Sequence, residues 1–203
     1  MKMILKTMLA VALVGPASLA LADEAMKPEV AEAAPKAVKY ATPDKADLAH
    51  AKEALTALEK ADPGLTRFLD GSAGYAVFAT VGKGAVGVGG AHGTGVVFEQ
   101  GRAVGEASLN QLTVGLQLGG QSYTEIIFFE SARSLAEFKK GEFTMAAQVS
   151  AVVAATGASA NAKYVQGVSV FTLTKGGVMV EASVGGQRFN YLPFESSVAL
   201  GSL

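Results

Sequence analysis

Few residues of this 203-residue chain are of a type that does chemistry, and their spacing argues against most of it. Gly82-Lys83-Gly84-Ala85-Val86-Gly87 has the bare spacing G-x-G-x-x-G. In a dinucleotide site a helix follows that motif, and its N-terminus holds the pyrophosphate. Here Val88-Gly89-Gly90-Ala91-His92-Gly93-Thr94-Gly95 follows, too rich in glycine to sustain a helix, and no G-K-[ST] occurs. No nucleotide is expected. His50 and His92 are the only histidines, the chain has no cysteine, and neither histidine has a G-x-S-x-G elbow to work with. Neither a metal, a cofactor nor a hydrolytic triad is therefore expected. Glu99, Glu106, Glu125 and Glu130 lie on or beside candidate strands, without the convergent setting that raises a carboxyl pKa for acid–base work. These residues predict a protein that is not an enzyme. Gln111, Gln117 and Gln121 read as a solvated sheet face, since a buried amide needs a partner for every donor. Lys83, Arg102, Arg133, Lys139, Lys140 and Lys163 are scattered along the chain and read singly as solvating charges, with Lys139-Lys140 also complementing a helix dipole.

The N-terminus reads as an export signal. Lys2 and Lys6 precede an apolar run from Thr7 to Val14, Gly15-Pro16 breaks the helix, and Ala20-Leu21-Ala22 supplies an A-x-A site before Asp23. The run falls short of the roughly 20 residues that span a bilayer. The expectation is a signal peptide over 1–22 and a periplasmic protein; without cysteine it is not a lipoprotein. Cleavage would remove two of the 17 basic residues and none of the 18 acidic ones, leaving a small acidic surplus. Bulk charge thus argues against nucleic acid as a partner.

The elements that must position the remaining candidates follow from periodicity. Residues 23–43 carry Pro28, Pro35 and Pro43 and read as an Ala/Pro-rich tether to a single domain over 44–203. From Asp44, the spacing of Leu48, Ala51, Leu55 and Leu58 predicts an amphipathic helix. Asp62-Pro63 predicts an N-cap with proline at the first position of a second helix through Leu69. From Tyr75 the pattern is β, with strands expected at 75–80, 85–91, 94–99, 102–110, 112–121, 124–130, 165–174, 177–183 and 187–192. Leu112, Val114, Leu116 and Leu118 alternate with polar or small residues, which predicts that they face the core. Ser131 caps a short inserted helix in which Leu135 and Phe138 pack and which Gly141 ends; 143–160 leans toward strand. The expected fold is α+β: a curled, mainly antiparallel, glycine-rich sheet or partial barrel with N-terminal helices. An outer-membrane barrel is disfavoured, because aromatics are only 7% and form no girdles at strand ends.

Several of these pieces, in order, resemble the SYLF domain family. They are Arg67-Phe68-Leu69 at the end of the leading helices, Ala73-Gly74-Tyr75-Ala76-Val77-Phe78, Val81-Gly82-Lys83-Gly84, and Gly89-Gly90-x-x-Gly93-x-Gly95. Gly115-x-Gln117-x-Gly119-Gly120-Gln121, Glu125-Ile126-Ile127-Phe128-Phe129 and the helix ending at Gly141 follow. The resemblance covers roughly residues 45 to 192, with Ala146 to Ala160 richer in alanine than the family pattern. It implies binding of phospholipid, partly through an amphipathic N-terminal helix and basic residues; some eukaryotic members also bind actin. Carried onto this chain, it implies a periplasmic protein that meets a phospholipid or membrane surface through Lys52, Lys60 and Arg67 of the helical region and Lys83 of the glycine motif. The alternative is an envelope interaction protein that holds a protein partner at sheet edges or a glycine-lined groove.

Overall fold

The computed structural model describes residues 39–141, 143–145, 151–153, 155–177 and 186–195, with the side chains at 85–88, 113–119, 151–153 and 176–177 left aside. The expected signal peptide, the tether as far as residue 38 and most of the expected strand at 177–183 lie outside the described residues. At the end of the tether, Ala41 already joins the sheet, its N–H donating to Pro193 O at 2.8 Å.

Helix α1 (Lys45–Ala61) begins where Asp44 accepts from the Ala46 N–H, and it buries Ala51, Ala54, Leu55 and Leu58. Asp62 ends α1 through its N–H to Leu58 O and opens a 3-10 turn at Pro63–Leu65 through its carboxylate to the Gly64 N–H. That turn runs into α2 (Thr66–Gly71). The Asp62-Pro63 reading thus holds, with one 3-10 turn placed ahead of the helix.

The expected strands at 75–80, 85–91 and 94–99 are one strand, β1 (Gly74–Glu99), and those from 102 to 130 are one strand, β2 (Arg102–Phe129). The glycines between the expected pieces of β1, Gly82, Gly84 and Gly93, are paired within the ladder, and its register shifts fall elsewhere, at Phe78/Val81, Val86/Val88 and Val97/Phe98. The β1–β2 turn uses Gln100 and Gly101 at φ 51° and 74°. Its ladder runs antiparallel from Glu99↔Arg102 to Gly74↔Phe129. Straight, a strand of 26 residues would reach about 85 Å, far longer than so small a domain allows. The hairpin therefore bends on itself, and each half of β2 finds its own second neighbour. Gly105–Gln111 pairs with β6 (Gln187–Pro193), and Gln121–Phe129 pairs with β5 (Val168–Gly177). Short β3 (Phe143–Met145) adds to β6, and β4 (Ala151–Val153) adds parallel to β5. The sheet order is β3-β6-β2-β5-β4, with β1 on β2. This is the expected α+β fold with a curled, mainly antiparallel sheet. The expected strand within 143–160 is two short strands followed by a 3-10 turn at Ala158–Asn161.

Glycine closes the curl. A Cβ at Gly95 would stand 2.6 Å from Val77 O, and one at Gly74 would stand 2.5 Å from Phe98 O. The two halves of β1 thus touch along a seam that admits no side chain. The sheet's concave side encloses Phe78, Val81, Leu109, Ile127, Phe129 and Phe189, and α3 (Ala132–Lys139) adds Leu135 and Phe138 to them. Its convex side meets α1 and α2 through Val77, Phe98, Phe128 and Phe171. The Phe138 ring lies 4.8 Å from Phe129 and 5.6 Å from Phe189, centroid to centroid. As expected, Ser131 caps α3 and Gly141, at φ 86°, follows it.

The facing expected around residue 112 is reversed. Gln111 is buried and Leu112 is 72% exposed. Because β2 continues unbroken, its phase is set by Ala107 and Leu109, which lie in the interior and carry Gln111 inward after them.

Candidate functional site

The four cations singled out in the sequence do not form one surface. Lys52 and Lys60 are exposed on α1, away from its buried Ala51, Leu55 and Leu58. Arg67, on α2, is exposed but tied to a neighbouring loop: its Nη2 donates to Ser159 O and, at 3.3 Å, to Ala162 O, while its Cζ lies 4.7 Å above the Phe68 ring. It fastens α2 to the 158–161 turn. Asp62 works at the same joint, accepting from the Ser159 N–H at 2.6 Å and from the Gly157 N–H at 3.3 Å. Burial opposes ionisation of Asp62, but these bonds and the one from Gly64 outweigh it and hold its carboxyl below the usual value. Lys83 is only 6% exposed and engaged within the structure.

The charges on α1 are mixed. Lys45, Lys52 and Lys60 are exposed, and so are Asp47 and Glu53. Asp47 and His50 line a small cleft against Thr80, Thr94 and Gly95 at the β1 seam. Burial, and then the charge of Asp47, raise the Glu106 pKa. His92 pairs through Nδ1 with Asn110 Oδ1 at 2.9 Å on the exposed side. Among the described residues, no group of three or more His, Asp or Glu side chains converges as a metal site would require. Lys139 pairs with Glu99 beside the β1–β2 turn and Lys140 with Glu137 at 2.8 Å, so both lysines have ion-pair roles besides the expected dipole one.

The unexpected chemistry is inside the curl. Glu125, Gln187, Gln111 and Lys83 are all buried. Glu125 is in phase along β2 with Ile127, Phe129 and the partly buried Tyr123, all of the interior cluster. Gln187 is in phase along β6 with Phe189. Its Nε2 donates to Glu125 Oε2 at 3.1 Å. Glu125 Oε1 and Gln187 Oε1 have no partner. Burial pushes the Glu125 carboxyl up to about 7, with the Gln187 bond pulling weakly the other way. The Tyr123 hydroxyl is raised by burial and by Glu125, against a weaker lowering by its neighbour Gln187. The expectations that Glu125 lacks a pKa-raising setting and that Gln111 belongs to a solvated face are both corrected. The missed signal was Glu125 itself: an acid in step with Ile127 and Phe129 in an apolar run can be in phase only with the core. Gln121 does keep a solvent-side role, its Nε2 lying 3.4 Å from Thr174 Oγ1.

Residues 110–191 match a family model, Ysc84, described as Las17-binding protein actin regulator. The match takes in Gln111, Tyr123, Glu125 and Gln187 of the interior and leaves Lys52, Lys60, Arg67 and Lys83 outside. No curated protein matches the chain. Over this segment, which holds most of β2, the inserted helix α3 and the strands β3 to β6, the chain is similar to the Ysc84 (SYLF) family, in line with the resemblance that its motifs carry.

Proposed function

We propose that this is a non-enzymatic phospholipid-binding protein of the periplasm, exported through residues 1–22, which docks on anionic membrane through the outer face of α1 and the adjoining α2. The family match supports a binding role rather than a catalytic one. The observation that carries the reading is α1 itself, a helix fixed to the sheet by one face while Lys52 and Lys60 stand free on another. Arg67 contributes at the edge of this surface while bonded to Ser159 and Ala162. Lys83 cannot reach a headgroup from the interior without parting the strands, so docking does not use it in the closed fold.

Each basic side chain near an anionic surface adds about 1 kcal/mol. Reversing both lysines (Lys52→Glu with Lys60→Glu) is therefore expected to weaken binding at least tenfold. The assay is flotation of the chain lacking residues 1–22 with phosphatidylglycerol-containing and with purely neutral vesicles, at low and near-physiological salt. Salt-sensitive flotation with the anionic vesicles, lost in the double variant, is the expected result. Equal flotation of variant and parent removes α1 from the mechanism. No flotation, together with a stoichiometric protein co-purifying, transfers the function to a protein partner.

A further inference from the structure

The interior pair Glu125–Gln187 has a geometry that one added proton completes. Gln187 lies in register with Gln111 on β2 and with Met145 on β3, on one wall of the curl. Glu125 lies in register with Phe78 on β1 and Thr172 on β5, on the other wall. Their hydrogen bond therefore crosses the interior and joins two halves of the sheet that backbone ladders hold separately. One of the four polar atoms of the two side-chain heads donates and one accepts. The two left over, Glu125 Oε1 and Gln187 Oε1, are both acceptors, both buried and both without a partner. Two orphaned acceptors on an already bonded pair are a costly arrangement. A proton on Glu125 Oε1 turns one of them into a donor, and the acid and the amide then match as a two-bond pair.

We propose that Glu125 and Gln187 form a proton-operated tie across the interior of the curl, made by two bonds when Glu125 is neutral and reduced to the single bond from Gln187 Nε2 when it ionises. The titratable groups sharing that interior are few. Tyr123 stands on Glu125's own strand and also neighbours Gln187; its hydroxyl is raised on balance, so it is neutral throughout the range in question. Lys83 on β1 is buried on the same side and engaged in an interaction of its own. From β5 the facing side chain is Thr172, from β6 Gln187 and from β3 Met145, none of which titrates. The hydrogen bond from Gln187 is the polar contact found for Glu125. The sign follows from burial. The folded chain holds this proton up to about pH 7, whereas an unfolded chain releases it at the ordinary 4.5. Stability is therefore full at acid pH, falls as pH rises from about 4.5 to about 7, and is level above that.

The test is urea unfolding of the purified protein from pH 5 to pH 9, set beside Glu125→Gln, whose amide makes the same two-bond pair without a proton. Between pH 5 and pH 8 the parent's folding constant is expected to fall roughly 70-fold relative to that variant. Identical pH profiles for the two proteins overturn the proposal. If Glu125→Gln does not fold, infrared spectroscopy of the parent, with glutamate isotope-labelled, decides instead. A protonated carboxyl band that persists in folded protein at pH 6 and disappears by pH 8.5 supports the tie; its absence at pH 6 refutes it. Neither readout involves lipid, so failure here is distinct from failure of membrane docking.

Discussion

Closure of the curl at the β1 seam yields a sharp prediction for Gly95→Ala. At Gly95 an added Cβ would meet Val77 O at 2.6 Å and Phe78 Cδ1 at 2.7 Å. Ordinary carbon contacts begin near 3.4 Å, so the seam would have to open by several tenths of an ångström. The nearer obstacle is a backbone oxygen, which cannot rotate aside. Overpacking of this kind costs about 1–3 kcal/mol. Alanine also recovers about 0.4–1 kcal/mol by restricting the unfolded chain, so the net loss is about 1–2 kcal/mol. Gly84, on the same strand, is the control: a Cβ there meets nothing within 4 Å. Gly84→Ala should be neutral or slightly stabilising, and the two variants should differ by about 2 kcal/mol. Urea unfolding of both, at one pH and with unchanged slopes, measures the difference. Variants agreeing within about 0.5 kcal/mol would refute the claim that β1 closes on itself through a side-chain-free seam.

Two further perturbations probe the two sides of the sheet. Phe138→Ala removes a fully buried ring that touches Phe129, Phe143 and Phe189, and should cost about 3–5 kcal/mol; Leu112→Ser, at a 72% exposed position, should be nearly silent in the same melt. On the convex side, Asp62→Asn weakens the acceptor shared by the Gly64, Gly157 and Ser159 N–H groups, and should cost about 1–3 kcal/mol near neutrality. Since the native carboxyl is held below its usual 3.8, its contribution is present above that pH and fades as pH falls through the native value. The stability gap between parent and Asp62→Asn should therefore narrow in acid, as pH-dependent denaturation would read.

The helices were legible because their information is local. Asp44 and Ser131 as caps, the Ala51, Leu55, Leu58 stripe and the stop at Gly141 each act within a turn or two of the chain. Strand boundaries were less legible. Glycine is an ordinary signal for a turn, yet in β1 and β2 glycines pair within the ladder or allow close approach, so nine candidate strands collapsed partly into two long ones. The error at Leu112 has the same origin: a supposed break after residue 110 let the phase restart, while the continuous strand carried it through.

The sequence alone carries the α+β class, the glycine-rich curled sheet, the helix limits and the likeness to the SYLF family, all properties of local propensity and ordered motif. Only the tertiary structure decided which side chains share a space. It separated Lys83 from Lys52 and Lys60, turned Arg67 toward Ser159, and brought Glu125 of β2 to Gln187 of β6, 62 residues apart. The physical reason is that burial and long-range pairing belong to the folded whole. An acid in an apolar strand shows its phase in sequence, but its pKa depends on what lies across the interior.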